Sequence, residues 1–421
     1  MNPNKQVVHF SLASPAIIGL ILAVILPWII LGLIVFKRPA KTASEIRLSM
    51  DNNESDAQRI HHPIESGPWG ILDISRIIIQ PPLSLINCNI DLQSYKRWTF
   101  NNTSLENIQQ LFKQSGLNEE DIRTLSESAI SKPEIKGFII IPPDDLVGRM
   151  PPQVRGVLYT RLSLNAENTA QAVPFRFCGS SIYEWFDHSD VNQDIVEKIK
   201  PLIYKRGKYL LFSDLHLIVK DLKTTHERLQ LLHTLCRAST LKVRIRGNSQ
   251  NNDSILDYWS RGDRRNEIEP LMISIADQTQ NMSIVVLLPT FARTRLYSYG
   301  ATYGTTSKEN DGKRDCHWTS FNFFNDIPDD RFAKTSMIPD ILAREYDVIA
   351  NPIFLGDVIM ILHENTGVHS CVYIADDVVF TKNGSQEGDP FILEKLENVI
   401  ELYQQQYGSV SLKFFRRKDI K

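Results

Sequence analysis

Asp315-Cys316-His317-Trp318-Thr319-Ser320-Phe321-Asn322-Phe323-Phe324-Asn325 decides how the C-terminal part of this chain is read. A polar loop gives way here to a helical apolar pattern, which sets Cys316 at a helix N-terminus. Backbone N–H groups and the helix dipole at such a position stabilise a thiolate and lower the sulfur's pKa toward the range useful for attack. The same N–H groups can hold an oxyanion.

Downstream, Ile353 to Leu362 reads as a turn into a buried strand, with Gly356-Asp357 at the turn. A loop through Glu364 to Gly367 leads into a second strand, Val368-His369-Ser370-Cys371-Val372-Tyr373-Ile374-Ala375. The Asp376-Asp377 turn returns the chain along Val378 to Gly384, a hairpin with His369 at the beginning of its first strand. A histidine there can reach a helix-borne cysteine from a neighbouring strand. Pro390 to Tyr407 reads as one amphipathic helix, with Phe391, Leu393, Leu396, Val399, Ile400 and Tyr403 apolar. Val410 to Phe415 is a last strand before the basic tail RRKDIK, a solvated end.

This order resembles the NlpC-type cysteine peptidases of bacterial cell walls, members of the papain-like superfamily. Their pattern is a Cys opening a helix after an Asp, a Gly-Asp strand, a His opening the next strand and a polar third residue one strand later. Here the elements are Asp315-Cys316, Gly356-Asp357, His369 and a residue within Thr381-Lys382-Asn383, and the resemblance covers about residues 311 to 415. It implies Cys316 as nucleophile and His369 as the base that takes its proton and later protonates the leaving amine. Asn383 is the third residue if the register continues, because it shares strand parity with His369; Thr381 is the alternative. The implied chemistry is hydrolysis or acyl transfer at an amide or ester bond of a peptide, peptidoglycan-like or acyl substrate, without a cofactor. The rival reading is a non-enzymatic scaffold in which the papain-like domain is inactive.

The family usually has Cys-Ser-Gly where this chain has Cys316-His317-Trp318-Thr319. A Trp in place of a small residue implies a different or narrower cleft, with Trp318 packed beneath it. Cys316, His317, His363, His369 and Cys371 have poor spacing for a metal site. Cys371 lies on the same strand face as His369, where core packing is its expected role.

At the other end, no Lys, Arg, Asp or Glu occurs between Lys5 and Lys37, and PAIIGLILAVILPWIILGLIVF supplies about 20 consecutive apolar residues. The expectation is a transmembrane helix over residues 15–36. Its long core, followed at once by Lys37, Arg38 and Pro39, differs from a cleaved signal peptide. Lys37, Arg38, Lys41 and Arg47 follow it while Lys5 precedes it, so the positive-inside rule points the C-terminal part to the cytoplasm, with the extracytoplasmic side left open. The expected localisation is a single-pass protein of a bacterial inner membrane, with the lipid bilayer as a partner.

The expected fold class is α+β. A tail (1–14) and the membrane helix (15–36) precede a polar linker (37–66), a mixed α/β region (67–290) and an NlpC-like domain (291–421), in which the helix-borne Cys packs on an antiparallel sheet. The middle region shows strand-like runs at Ile77–Ile79, Phe138–Ile141, Leu241–Ile245 and Ser283–Leu288. Helical stretches are expected at Ser104–Ser115, Asn118–Ala129, Val191–Tyr204 and Thr225–Ala238. A protein partner is a possible role for this region.

Two motifs in the middle region are weaker than they look. Phe212-Ser213-Asp214-Leu215-His216-Leu217 is similar to the first metal block of calcineurin-type phosphoesterases, but the later Gly-Asn-His and histidine blocks are missing, and Gly247-Asn248 is followed by Ser249. Asp214 is expected to cap a turn and His216 to pack. His226 and His233 stand seven residues apart, whereas a zinc-protease helix needs its histidines four apart, so Glu227 is an ordinary helix charge. The net charge of −2 and the lack of a basic, aromatic-studded segment argue against nucleic acid as a partner. Five scattered cysteines without a C-x-x-C pair argue against a disulfide framework or structural zinc.

Overall fold

Runs of alternating and continuous apolar residues sort the strands into four antiparallel sheets. The computed structural model describes residues 62–86, 92–246, 253–276, 281–300, 314–384 and 388–420, all within the unit Arg59–Lys421. The largest sheet has six strands in the order Tyr346–Ile349, Ser411–Arg417, Val358–His363, Thr366–Ala375, Val378–Lys382 and Phe391–Lys395. A four-stranded sheet holds His62–Gly67, Gly70–Ile79, Ala238–Ile245 and Met282–Ser283. Two three-stranded sheets complete the set, one of them Phe175–Cys178, Tyr209–Phe212 and Tyr204–Arg206.

The four strands from Val358–His363 to Phe391–Lys395 are largely buried on both faces, and the period of two assigns each side chain to one of them. Val358, Met360, Val372, Ile374 and Phe380 enter a core shared with Leu72, Leu241 and Val243 of the four-stranded sheet and with Trp259, Trp318 and Phe321. Residues from both sides of position 290 therefore fill one apolar interior. Ile359, Ile361, Cys371, Tyr373 and Val379 face the other way, against Tyr209 and against Val399, Leu402 and Tyr403 of helix Leu396–Tyr407. A separate core, drawn from residues between Trp98 and Leu235, joins helices and small sheets of that segment. Burying each large apolar side chain contributes about 1.5–3 kcal/mol, so the two-sided covering pins the register of the strands that carry the site.

Several helix ends follow their sequence signals. Ser104 and Asn118 cap helices Leu105–Ser115 and Glu119–Glu127, accepting from Asn107 N and Asp121 N. Thr224 and Glu227 form a reciprocal capping box at helix Thr225–Leu235, so Glu227 is a cap rather than a free helix charge. Gly356 opens strand Val358–His363 with φ +92°, and a Cβ there would overlap the Phe324 ring.

Some expected elements differ: within Val191–Tyr204 the α-helix spans only Gln193–Ile199, a 3-10 turn follows at Lys200–Leu202, and Tyr204 starts a strand. Pro390–Tyr407 is not one helix: Phe391–Lys395 is a strand paired with Val378–Lys382, and the helix starts at Leu396. Phe391, Ile392 and Leu393 are all buried, and such a continuous apolar run satisfies a strand covered on both faces as well as it satisfies a helix. Ser283–Leu288 is a strand only at Met282–Ser283; Ile284–Leu287 forms a 3-10 turn with Ser283 accepting from Val285 N.

The membrane expectation is corrected. No helix among the described residues is long and apolar enough to cross a membrane. The longest of them, Arg265–Ala276 and Leu396–Tyr407, have 12 residues, and a span needs about 20. The described architecture is α+β with several sheets and no spanning helix, in place of the expected fold class with a transmembrane segment. The single-pass inner-membrane localisation is withdrawn with it. Residues 15–36, on which that expectation rested, lie outside the described residues.

Candidate functional site

Asp315 precedes the short helix Cys316–Phe321 in extended conformation and accepts from His317 N at 2.8 Å and Trp318 N at 3.2 Å. The N–H groups expected to receive an oxyanion are thus engaged by the cap. The six-residue helix is buried along its whole length. Trp318 fills the main core, donates its indole N–H to Asp330 at 3.0 Å and meets Phe291 edge-on, so it is a core residue rather than the wall of a cleft.

Cys316 is 7% exposed and its thiol is pushed up to about 12. Burial is the main cause and the Asp315 charge adds to it; the Ser370 and His317 N–H groups and the Lys382 ammonium oppose it. The lowered sulfur pKa expected at a helix N-terminus is therefore reversed, because losing water outweighs the dipole of a helix this short. Ser370 and Lys382 belong to strands Thr366–Ala375 and Val378–Lys382, whose pairing runs from Ala375–Val378 to Val372–Phe380 and then stops.

His369 is the fourth residue of strand Thr366–Ala375, paired with Ile361, and is fully buried. Its ring stacks on Tyr403 with centroids 4.4 Å apart at 18°. Nε2 meets Thr381 Oγ1 at 2.9 Å, while Nδ1 is buried without a partner. Burial pushes the imidazole pKa well below its ordinary value, with the His317 and Arg176 charges acting in the same direction. No hydrogen bond joins Cys316 Sγ to His369 among the described residues. The Cys316 charge does reach Tyr403, the ring that covers His369. Ser370 Oγ, beside His369 in the strand, donates to Cys316 O at 3.2 Å and meets His317 Nδ1 at 3.0 Å.

Thr381, the alternative third residue, makes the direct contact with His369. Asn383 stands one step behind it, accepting from Thr381 Oγ1 at 2.9 Å and donating to Tyr209 Oη at 3.2 Å. Tyr209 donates on to Glu394 at 3.5 Å. Sequence reasoning missed Tyr209, Glu394 and Tyr403 as members of this neighbourhood, and met the buried Lys382 only within the Thr381-Lys382-Asn383 segment. The Phe391–Lys395 strand period carries a faint signal for Glu394, a carboxylate in an otherwise apolar run. Tyr209 has none, since it arrives from 174 residues before Asn383.

The remaining candidates have structural duties. Asp357 accepts from Ile353 N and Phe354 N at 2.9 and 3.0 Å and takes both arms of Arg416 at 2.7 Å, tying the Gly-Asp turn to the last strand. Cys371 is fully buried in the second core, and burial raises its thiol pKa. Asp214 does not cap its helix: its carboxylate pairs with the buried Arg155 and accepts from Tyr159 Oη at 2.6 Å. His216 packs in the interior, with its pKa lowered by burial.

Comparison with protein-family models, curated proteins and solved structures finds no match to this chain.

Proposed function

We propose that this is a thiol-dependent hydrolase or acyltransferase acting on an amide or ester carbonyl, with Cys316 as nucleophile and His369 as base. One observation carries the reading: His369 is held through Nε2 by Thr381 and keeps Nδ1 bare, in a strand whose next residue touches the Cys316 backbone. A fixed imidazole with one uncommitted nitrogen is what a general base requires. The order of Cys316, Gly356-Asp357, His369 and Thr381 resembles that of NlpC-type peptidases and adds support for a peptide or acyl substrate.

With the thiol pushed up and the imidazole pushed down, both groups are neutral at pH 7. The proton then leaves sulfur for Nδ1 as the sulfur–carbon bond forms, rather than resting on the imidazole beforehand. Collapse of the tetrahedral adduct breaks the scissile bond, and the imidazolium returns the proton to the departing amine or alcohol. Water or a second acceptor then releases the acyl group from Cys316.

A thiol-directed activity probe tests the dyad. Labelling of Cys316 in the wild type that disappears in His369→Ala supports it, and labelling indifferent to that change sinks it. The burial of Cys316 and His369, 7% and 0% exposed, favours a second reading, a non-enzymatic scaffold. That reading requires Cys316 to stay unlabelled in the folded protein and to react only once the chain is denatured.

A further inference from the structure

The hydrogen bonds leading away from His369 form a line with a direction. Thr381 Oγ1 donates to Asn383 Oδ1, Asn383 Nδ2 donates to Tyr209 Oη, and Tyr209 donates to Glu394 Oε2. A hydroxyl has one proton, so a Thr381 that gives its own to Asn383 can only accept from His369. The ring then carries its proton on Nε2 and presents Nδ1 as a lone pair.

The direction needs an end that cannot reverse, and Glu394 supplies one. Lys395 N donates to it at 2.8 Å and Asn398 Nδ2 at 2.9 Å, while the Arg76 guanidinium stands 3.9 Å away. Asn398 keeps its NH2 on this carboxylate although its own Oδ1 is thereby left buried without a partner. A carboxylate among donors accepts only, so Tyr209 must spend its proton on it. The Tyr209 oxygen is then free to accept from Asn383, whose amide is thereby oriented with oxygen toward Thr381. Flipping that amide would set its NH2 on Thr381, turn the Thr381 proton onto His369 Nε2 and move the imidazole proton to Nδ1, the wrong tautomer for a base facing Cys316.

We propose that Glu394 and Tyr209 are positioning residues that fix the tautomer of His369 through Asn383 and Thr381. The inference rests on the reading of His369 as the base of Cys316. It assigns a part in the site to Tyr209 of the strand Tyr209–Phe212, far from the C-terminal segment in sequence.

The test uses the full chain with ring-15N histidine, His369 being assigned by the signal lost in His369→Gln. The expected wild-type spectrum has the His369 proton on Nε2. Tyr209→Phe and Glu394→Gln are each expected to shift the tautomer ratio about tenfold toward Nδ1–H, the effect of one hydrogen bond to a charged group, with a cooperative melt retained. Labelling of Cys316 by the thiol probe should slow by a similar factor. A wild-type proton on Nδ1, or an unchanged ratio in both folded variants, overturns the proposal. Should Tyr209→Phe fail to fold, Glu394→Gln, which keeps the side-chain shape, decides alone. A tautomer that responds to both variants in a chain whose Cys316 never takes the probe keeps the anchor and removes the hydrolase, so the two failures are distinct.

Discussion

At Thr381 and Asn383 a difference of two positions separates contact with the imidazole from support behind it. Thr381 holds His369 Nε2 at 2.9 Å, and Asn383 bonds Thr381 and Tyr209 behind it. Thr381→Val removes the acceptor directly and should slow probe labelling of Cys316 about tenfold, whereas Thr381→Ser, which keeps the hydroxyl, should restore most of it. Asn383→Ala breaks the same line one bond further out and should slow labelling by a similar factor. Labelling rates at a single pH, read by mass spectrometry of the Cys316 peptide, rank the three. Equal losses in Thr381→Val and Thr381→Ser would show that side-chain packing, not the hydrogen bond, is what matters there.

Among the elements, the helix Cys316–Phe321 combines two opposed demands on one residue. Asp315 caps it through two N–H groups and, by its charge, raises the Cys316 thiol. Asp315→Ala should therefore cost about 1 kcal/mol of stability while lowering the thiol pKa and speeding its alkylation. Chemical denaturation and iodoacetamide kinetics on the same preparation separate the two effects. A variant that is both less stable and less reactive would show that the cap is needed to place the sulfur. The neighbouring strand makes the complementary contribution: its Ser370 meets the Cys316 backbone and its His369 turns to Tyr403, so one strand links the helix to the second core.

Over the whole molecule, buried titratable groups set the pH range in which the fold is favoured. Cys178, Cys236 and Cys316 are pushed from 9.0 up to about 12, chiefly by burial. Above pH 9 the unfolded chain sheds thiol protons that the folded chain keeps, so stability falls as pH rises from 9 toward 12. His216, His317 and His369 are all pushed below 6.5, again chiefly by burial. Below pH 6.5 the unfolded chain gains protons that the folded chain refuses, so stability also falls on the acid side. Denaturation midpoints at constant ionic strength should peak between these limits; a midpoint still rising at pH 10 would contradict the burial of the thiols. In the core between Trp98 and Leu235, Asp214→Asn leaves Arg155 without its counter-charge and should cost roughly 3–5 kcal/mol, measured by the same denaturation. A cost near zero there would mean that the pair contributes little beyond its volume.

Local chemistry was legible in the chain itself. Cys316 after Asp315, the Gly356-Asp357 turn and the hairpin bearing His369 follow from apolar periodicity, turn residues and caps, all of which act over a few residues. The helix–strand ambiguity of Phe391-Ile392-Leu393 was not resolvable that way, because its outcome depends on a second apolar layer closing over the strand. The same holds for the sign of the Cys316 shift: a helix N-terminus lowers a thiol pKa, but burial raises it by more. What the sequence by itself determined is which residues stand at turns, caps and strand starts. What only the tertiary structure decided is that Thr381 rather than Asn383 holds His369 and that Tyr209 and Glu394 stand behind them, because hydrogen-bond direction and desolvation belong to groups brought together from distant segments.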